Sequence, residues 1–242
     1  MLILMAILFF LLLVLVLRSC VMGVDVSSLN YPSYVQQDFI EEDGHARTGR
    51  EMKRVNDIVI HYVANPGSTA EGNRDYFDSA QSYVSAHFVV GLEGEVIQCV
   101  PLDEQSSASN DRNPDTISIE VCHPDSSGKF NDKTYGALVK LTAWLCDEFH
   151  LDEKDVIRHY DITGKNCPKY FVEHPKAWEE FKEDVKNEML TMRFDRTAFC
   201  HLRDKWSGSA AVSIRFCFRE RESRLMAASR FRAADLSGTY SI

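Results

Sequence analysis

Short β-branched apolar runs, each too brief for a helix and each closed by turn-forming residues, constrain this chain most. The first is Ile58-Val59-Ile60-His61-Tyr62-Val63, ended by Asn65-Pro66-Gly67. Strands are also expected over 87–90 and 96–100, joined by Gly91-Leu92-Glu93-Gly94 as a hairpin. Residues 116–122 form another, with Glu120 on the face opposite Ile117, Ile119 and Val121. Residues 156–160 form the last. Helical segments fall between and after them. A short one is expected within 71–81. Asn131-Asp132 caps a second that runs to about Phe149, with Leu138, Leu141, Leu145 and Phe149 at helical spacing. A third, around 174–188, carries Trp178, Phe181 and Val185. Residues 103–115 and 161–168 read as loops. Strands mixed with helices and one hairpin predict a single α/β domain over 45–189.

Both ends differ from this body. Residues 1–17 contain no polar side chain. As a helix they span about 25 Å, and residues 21–24 would extend them toward a hydrocarbon core of about 30 Å. Residues 1–24 are therefore expected to be a signal peptide or N-terminal membrane anchor, with 1–17 as the membrane contact. Residues 25–44 are mixed and polar, and read as a stalk. Residues 190–242 hold ten Lys and Arg against five Asp and Glu. They read as a basic tail of unassigned role, outside the domain and with no sustained period. The whole chain nevertheless carries a formal charge of −9, which argues against a general nucleic-acid binder.

Three donor side chains stand out. His61 lies inside an apolar run, His159 near the end of another, and Cys167 eight residues later across a Gly- and Pro-containing segment. A buried imidazole needs partners for its nitrogens, so a core histidine bonded to a backbone carbonyl is one reading of each. Convergence of the three on a metal, with a fourth position open, is the other. Spacing alone does not decide between them. The seven cysteines, at 20, 99, 122, 146, 167, 200 and 217, form no regular framework and no CxxC pair.

Four blocks in order carry a family resemblance: Ile58 to Ala64 (IVIHYVA), Ser85 to Phe88 (SAHF), Ile117 to Val121 (ISIEV) and Arg158 to Pro168 (RHYDITGKNCP). Together they resemble the zinc-dependent N-acetylmuramoyl-L-alanine amidases of bacterial autolysins and phage endolysins, relatives of the peptidoglycan recognition proteins. The resemblance implies a single mixed central sheet flanked by helices. It implies one zinc per chain, held by His61, His159 and Cys167. It makes Glu120 the proton-transferring acid/base and Lys165 the cation near the developing oxyanion. His87, in the second block, becomes a candidate substrate contact. Some relatives place a Tyr where this chain has Ala86, a departure that shifts weight onto Glu120. The implied reaction is hydrolysis of the lactyl–L-alanine amide of peptidoglycan by zinc-activated water. The implied setting is extracytoplasmic, at the membrane or wall of a bacterium, with a monomer acting on peptidoglycan.

Two other functions share these residues. One is a peptidoglycan-binding module of the same fold, which typically lacks the sulfur ligand that Cys167 supplies here. The other is a thiol hydrolase built on Cys167 and His159, which leaves His61 unexplained.

Overall fold

The computed structural model describes residues 25–42 and 45–205, with side chains described as far as 196. The expected anchor over 1–24, with Cys20, lies outside the described residues. So do the tail from 206 onward and the side chain of Cys200. The chain divides into two compact units, 1–191 and 192–242. The first contains every candidate site residue.

Six strands form one sheet: β1 (Val35–Gln37), β2 (Asp57–Ile60), β3 (Phe88–Val90), β4 (Val96–Gln98), β5 (Thr116–Val121) and β6 (Val156–Arg158). Their order is β1-β4-β3-β5-β2-β6. The β3–β4 hairpin is antiparallel and every other neighbouring pair is parallel, so the sheet is mixed, as the resemblance implied. The helices are α1 (Ala70–Phe77), α2 (Asp132–Glu148), α3 (His159–Thr163), α4 (Lys169–Glu173) and α5 (Pro175–Lys205), with a 3-10 turn over Asn110–Asp115.

Alternation along the strands assigns the two faces. Phe88 meets Trp144 of α2 edge-on, with ring centroids 6.4 Å apart. Leu138, Leu141 and Leu145 of α2 are fully buried, as their spacing predicted. Val89 and Ile97 point the other way and pack with Ala70 and Phe77 of α1. Apolar burial on both faces is what a largely parallel sheet requires. Phe171 of α4 stacks on Phe181 of α5 at 5.2 Å, and Tyr135 of α2 donates to Asp184 of α5 at 2.8 Å. These contacts lay the start of α5 along α2.

Four expectations need correction. The segment read as a stalk, 25–44, contributes β1, and Ile40 is buried with its N–H bonded to Cys99 O at 3.0 Å. Its polarity is that of an edge strand, since Gln36 and Gln37 remain exposed. The polar loop over 103–115 contains the 3-10 turn. The loop over 161–168 lies mostly beyond α3, which begins at His159 rather than ending a strand there. The final helix does not stop near Met189 but runs on to Lys205.

Candidate metal centre

The strand register gathers the site. Ile60 pairs with Ile119 on one side and with Arg158 on the other. One residue further along each chain come His61, Glu120 and His159. They therefore sit at one level, at the carboxyl ends of three adjacent parallel strands, where open α/β sheets place their ligands. His61 follows the end of β2 rather than lying mid-strand, but its N–H still bonds to Ile119 O at 2.9 Å.

Cys167 reaches this level through the segment after β6. Asp161 accepts from the Arg158 backbone N–H at 2.8 Å and from its guanidinium at 2.7 Å, which holds the first turn of α3. Gly164 then adopts a left-handed conformation, φ 76°, that ends the helix. The chain doubles back, and the Tyr160 N–H bonds to Cys167 O at 2.9 Å. Arg158, Asp161, Gly164 and Cys167 thus form one folding unit rather than an unstructured loop.

His61, His159 and Cys167 are all buried, and one donor atom from each lies within 4.8 Å of the others. Cys167 Sγ is 3.9 Å from His61 Nδ1. Zinc bonds of roughly 2.0–2.3 Å in a tetrahedron separate donor atoms by about 3.3–3.8 Å, so this cluster is close to that size. His159 Nε2 meets Asn110 Oδ1 at 3.0 Å, while its Nδ1 is buried without a hydrogen-bond partner. A buried nitrogen left bare beside a thiol and a second imidazole is what a metal ligand looks like before the ion is considered. The donor set also suits zinc, which takes imidazole nitrogen and thiolate sulfur together.

The electrostatics agree. Burial, followed by the His159 and Lys165 charges, holds His61 well below its ordinary pKa. Burial and then Lys165 lower His159 too. Both imidazoles are thus kept neutral, the form that ligates. Burial pushes the Cys167 thiol up to about 12, so without a bound cation it stays protonated. Burial also raises Glu120 to about 7, against the opposing pull of Lys165. Glu120 Oε1 stands 4.0 Å from His61 Nδ1, and Oε2 has no partner. Lys165 itself is exposed, and its charge acts on His61, His159, Glu120 and Cys167 alike. The structure therefore brings together five of the six candidate residues.

The sixth, His87, is elsewhere. It is fully buried in the sheet, its Nδ1 accepting from the Ser118 N–H at 3.0 Å and its Nε2 donating to Glu104 O at 2.9 Å. Burial lowers its pKa to about 4, so it stays neutral with both nitrogens committed to backbone. The expectation of a substrate contact is corrected to that of a core histidine. Sequence reasoning also missed Ser109 and Asn110. They lie in a polar stretch with no periodicity, and only their approach to the two histidines distinguishes them.

The fold is a mixed-sheet α/β domain whose His/His/Cys cluster could hold a metal ion, with a partly buried carboxyl beside it. Comparison with known proteins gives the family. Residues 51–170 match the model of the family described as N-acetylmuramoyl-L-alanine amidase. Among curated relatives, "N-acetylmuramoyl-L-alanine amidase BlyA" of Bacillus subtilis (strain 168) is 34% identical over 178 residues, covering 65% of this chain and 48% of the relative. "N-acetylmuramoyl-L-alanine amidase CwlL" of Bacillus licheniformis is 29% identical over 168 residues, covering 62% of this chain and 46% of the relative. The chain thus spans about half the length of the curated relatives it matches. Among solved structures, the catalytic domain of XlyA superposes with TM-score 0.55 at 28% identity, over 62% of this chain and 98% of that one. A mutant endolysin from Bacillus subtilis gives TM-score 0.55 at 27% identity, over 62% of this chain and 97% of that one. The matched domain is thus of the N-acetylmuramoyl-L-alanine amidase family.

Proposed function

We propose that the domain is a zinc-dependent N-acetylmuramoyl-L-alanine amidase. Its substrate is peptidoglycan, and it hydrolyses the amide between the lactyl group of N-acetylmuramic acid and the L-alanine of the stem peptide. The observation that carries this reading is the convergence of His61, His159 and Cys167 beside the partly buried Glu120 carboxyl at the ends of three parallel strands.

His61 and His159 would hold the ion through Nδ1, and Cys167 through Sγ. Bound there, zinc supplies Lewis-acid polarisation of the amide carbonyl and acidifies the attacking water. Glu120 takes the proton from that water as its oxygen bonds to the carbonyl carbon. It then returns the proton to the amide nitrogen as the C–N bond breaks, releasing the amine of L-alanine. A carboxyl raised to about 7 is suited to both transfers near neutral pH. Lys165 stands at the rim of the site, where its ammonium stabilises the oxyanion.

A thiol hydrolase on Cys167 is disfavoured because burial pushes this thiol up to about 12, opposite to the shift an activated nucleophile needs. A binding module alone would not require a buried carboxyl of raised pKa. The substrate lies outside the cytoplasmic membrane, so the domain would act there. Residues 1–17 would provide the leader or anchor, and residues 190–242 a basic extension dispensable for catalysis. Among the described residues no helix is long and apolar enough to cross a membrane. Incubating the protein with purified sacculi and measuring newly exposed amino-terminal alanine tests the reading. Binding to sacculi without release of alanine amine would leave a wall-binding module instead.

A further inference from the structure

The two histidines of the centre are held from behind by consecutive residues. Asn110 Oδ1 meets His159 Nε2 at 3.0 Å, and Ser109 Oγ lies 3.5 Å from His61 Nε2. We propose that Asn110 is a positioning residue that fixes the tautomer of His159, keeping the proton on Nε2 and the Nδ1 lone pair turned toward the metal centre. The proposal rests on the zinc reading for its purpose, but not for its geometry.

A neutral imidazole carries one N–H, and which nitrogen has it follows from the partner of the other. An amide oxygen can only accept. With Oδ1 facing Nε2, the proton must be on Nε2, and Nδ1 presents a lone pair. That Nδ1 is buried with no hydrogen-bond partner, so nothing else described in the structure selects the tautomer. A hydrogen-bond donor in place of Oδ1 would invert the arrangement, moving the proton to Nδ1 and blocking ligation. Partners of this kind behind a ligating histidine also raise its basicity and limit its rotation.

The backbone of the turn is built for the task. Asn110 has φ 56°, in the left-handed region that Asn tolerates better than most residues other than Gly. The Ser109 N–H bonds to Asn113 Oδ1 at 2.7 Å, and Ser109 Oγ pairs with Ser118 Oγ at 2.8 Å. At the far end Arg112 bridges Asp57 and bonds to Asp115 at 2.8 Å, and Asn56 donates to Asp115 at 2.8 Å. The turn is therefore tied to β5 through Ser109 and Ser118, and to the start of β2 through Arg112 and Asp115. These strands also deliver Glu120 and His61, so the clamp and the ligands share one frame.

Two substitutions in the full chain separate the hydrogen bond from the backbone. Asn110→Gly accepts the left-handed conformation and removes the acceptor. Asn110→Asp keeps an acceptor and a side chain of the same length. Zinc affinity is read by competition with a chromophoric chelator. The His159 tautomer is read from imidazole 15N shifts in the metal-free protein. Asn110→Gly should bind zinc about 10–100-fold more weakly and lose the uniform Nε2–H tautomer. Asn110→Asp should retain both properties. An Asn110→Gly protein with unchanged tautomer and wild-type affinity would overturn the proposal, as would equal losses in the Gly and Asp variants. If the wild type bound no zinc, the amidase reading would fail. The 15N comparison in the metal-free protein would still decide whether Asn110 sets the tautomer.

Discussion

Glu120 Oε1 lies 4.0 Å from His61 Nδ1, one step beyond the last register pair that joins their strands. At this distance the carboxyl is beside the donor cluster without being bonded to it, and its second oxygen is buried and bare. The proposed role of Glu120 is to move a proton beside the cluster, which His61, His159 and Cys167 form without it. Glu120→Gln preserves the shape and removes the basicity. We expect turnover on peptidoglycan to fall about 10²–10⁴-fold while zinc content stays at the wild-type level. Metal analysis alongside initial rates checks both halves. Near-normal turnover would assign the proton to another group.

The same burial predicts a stability effect in the metal-free protein. Glu120 titrates at about 7 when folded, against an ordinary value of 4.5. The folded state thus binds the proton more tightly than the unfolded state. The sign follows from linkage: this group costs nothing below about pH 4.5, where both states are protonated. The cost grows as pH rises and is complete above about 7. Glu120→Gln escapes it, and should be more stable than wild type at pH 8 by up to about 3 kcal/mol. Near pH 4.5 the two should be nearly equal. Denaturant melts of chelator-treated protein at both pH values measure the difference, and a gap that does not widen with pH contradicts the assignment.

Lys165 is exposed, yet its charge acts on Glu120 and on all three metal-ligand candidates. Removing it in Lys165→Ala should lower turnover about 10²-fold, the scale of one lost oxyanion donor. Thermal stability should hardly change, because the side chain is in solvent. Lys165→Arg, which retains the cation, should recover part of the rate. Equal losses for Ala and Arg would mean that the charge is not what matters.

His87 gives the opposite pattern. Its two bonds join the Ser118 N–H to the Glu104 carbonyl through the sheet. His87→Leu leaves both backbone groups unpaired in a buried place. We expect a stability loss of about 1–3 kcal/mol per group left unpaired. Activity per folded molecule should be retained. Urea melts and active-site-normalised rates separate the two effects, and loss of activity in fully folded protein would return His87 to the substrate site.

His61, Glu120 and His159 stood out because β-branched runs of local strand character carry them, but only the family resemblance joined them into one candidate site. The runs could not say that β2 lies between β5 and β6, and only that order sets the three side chains level. Cys167 was singled out through the family resemblance of residues 158–168, while the helical turn opening at His159 was not legible. Asn110 left no signal, because its role depends on an imidazole distant in sequence, and its neighbours are polar whether or not they fold. His87 was misread for a related reason. A histidine within a family block looks like chemistry, and only its two backbone partners reveal a structural role. The edge strand β1 was hidden by its own exposure, which replaces apolar residues with Gln36 and Gln37.

The most direct test of the central claim is metal-dependent release of alanine amine from sacculi. The purified protein should expose amino-terminal alanine, lose that activity on chelation, and regain it with zinc at one equivalent per chain. Cys167→Ser should lower both zinc content and release. Undiminished release from a metal-free protein would contradict the account, as would zinc-loaded protein that binds sacculi and never frees an alanine amine.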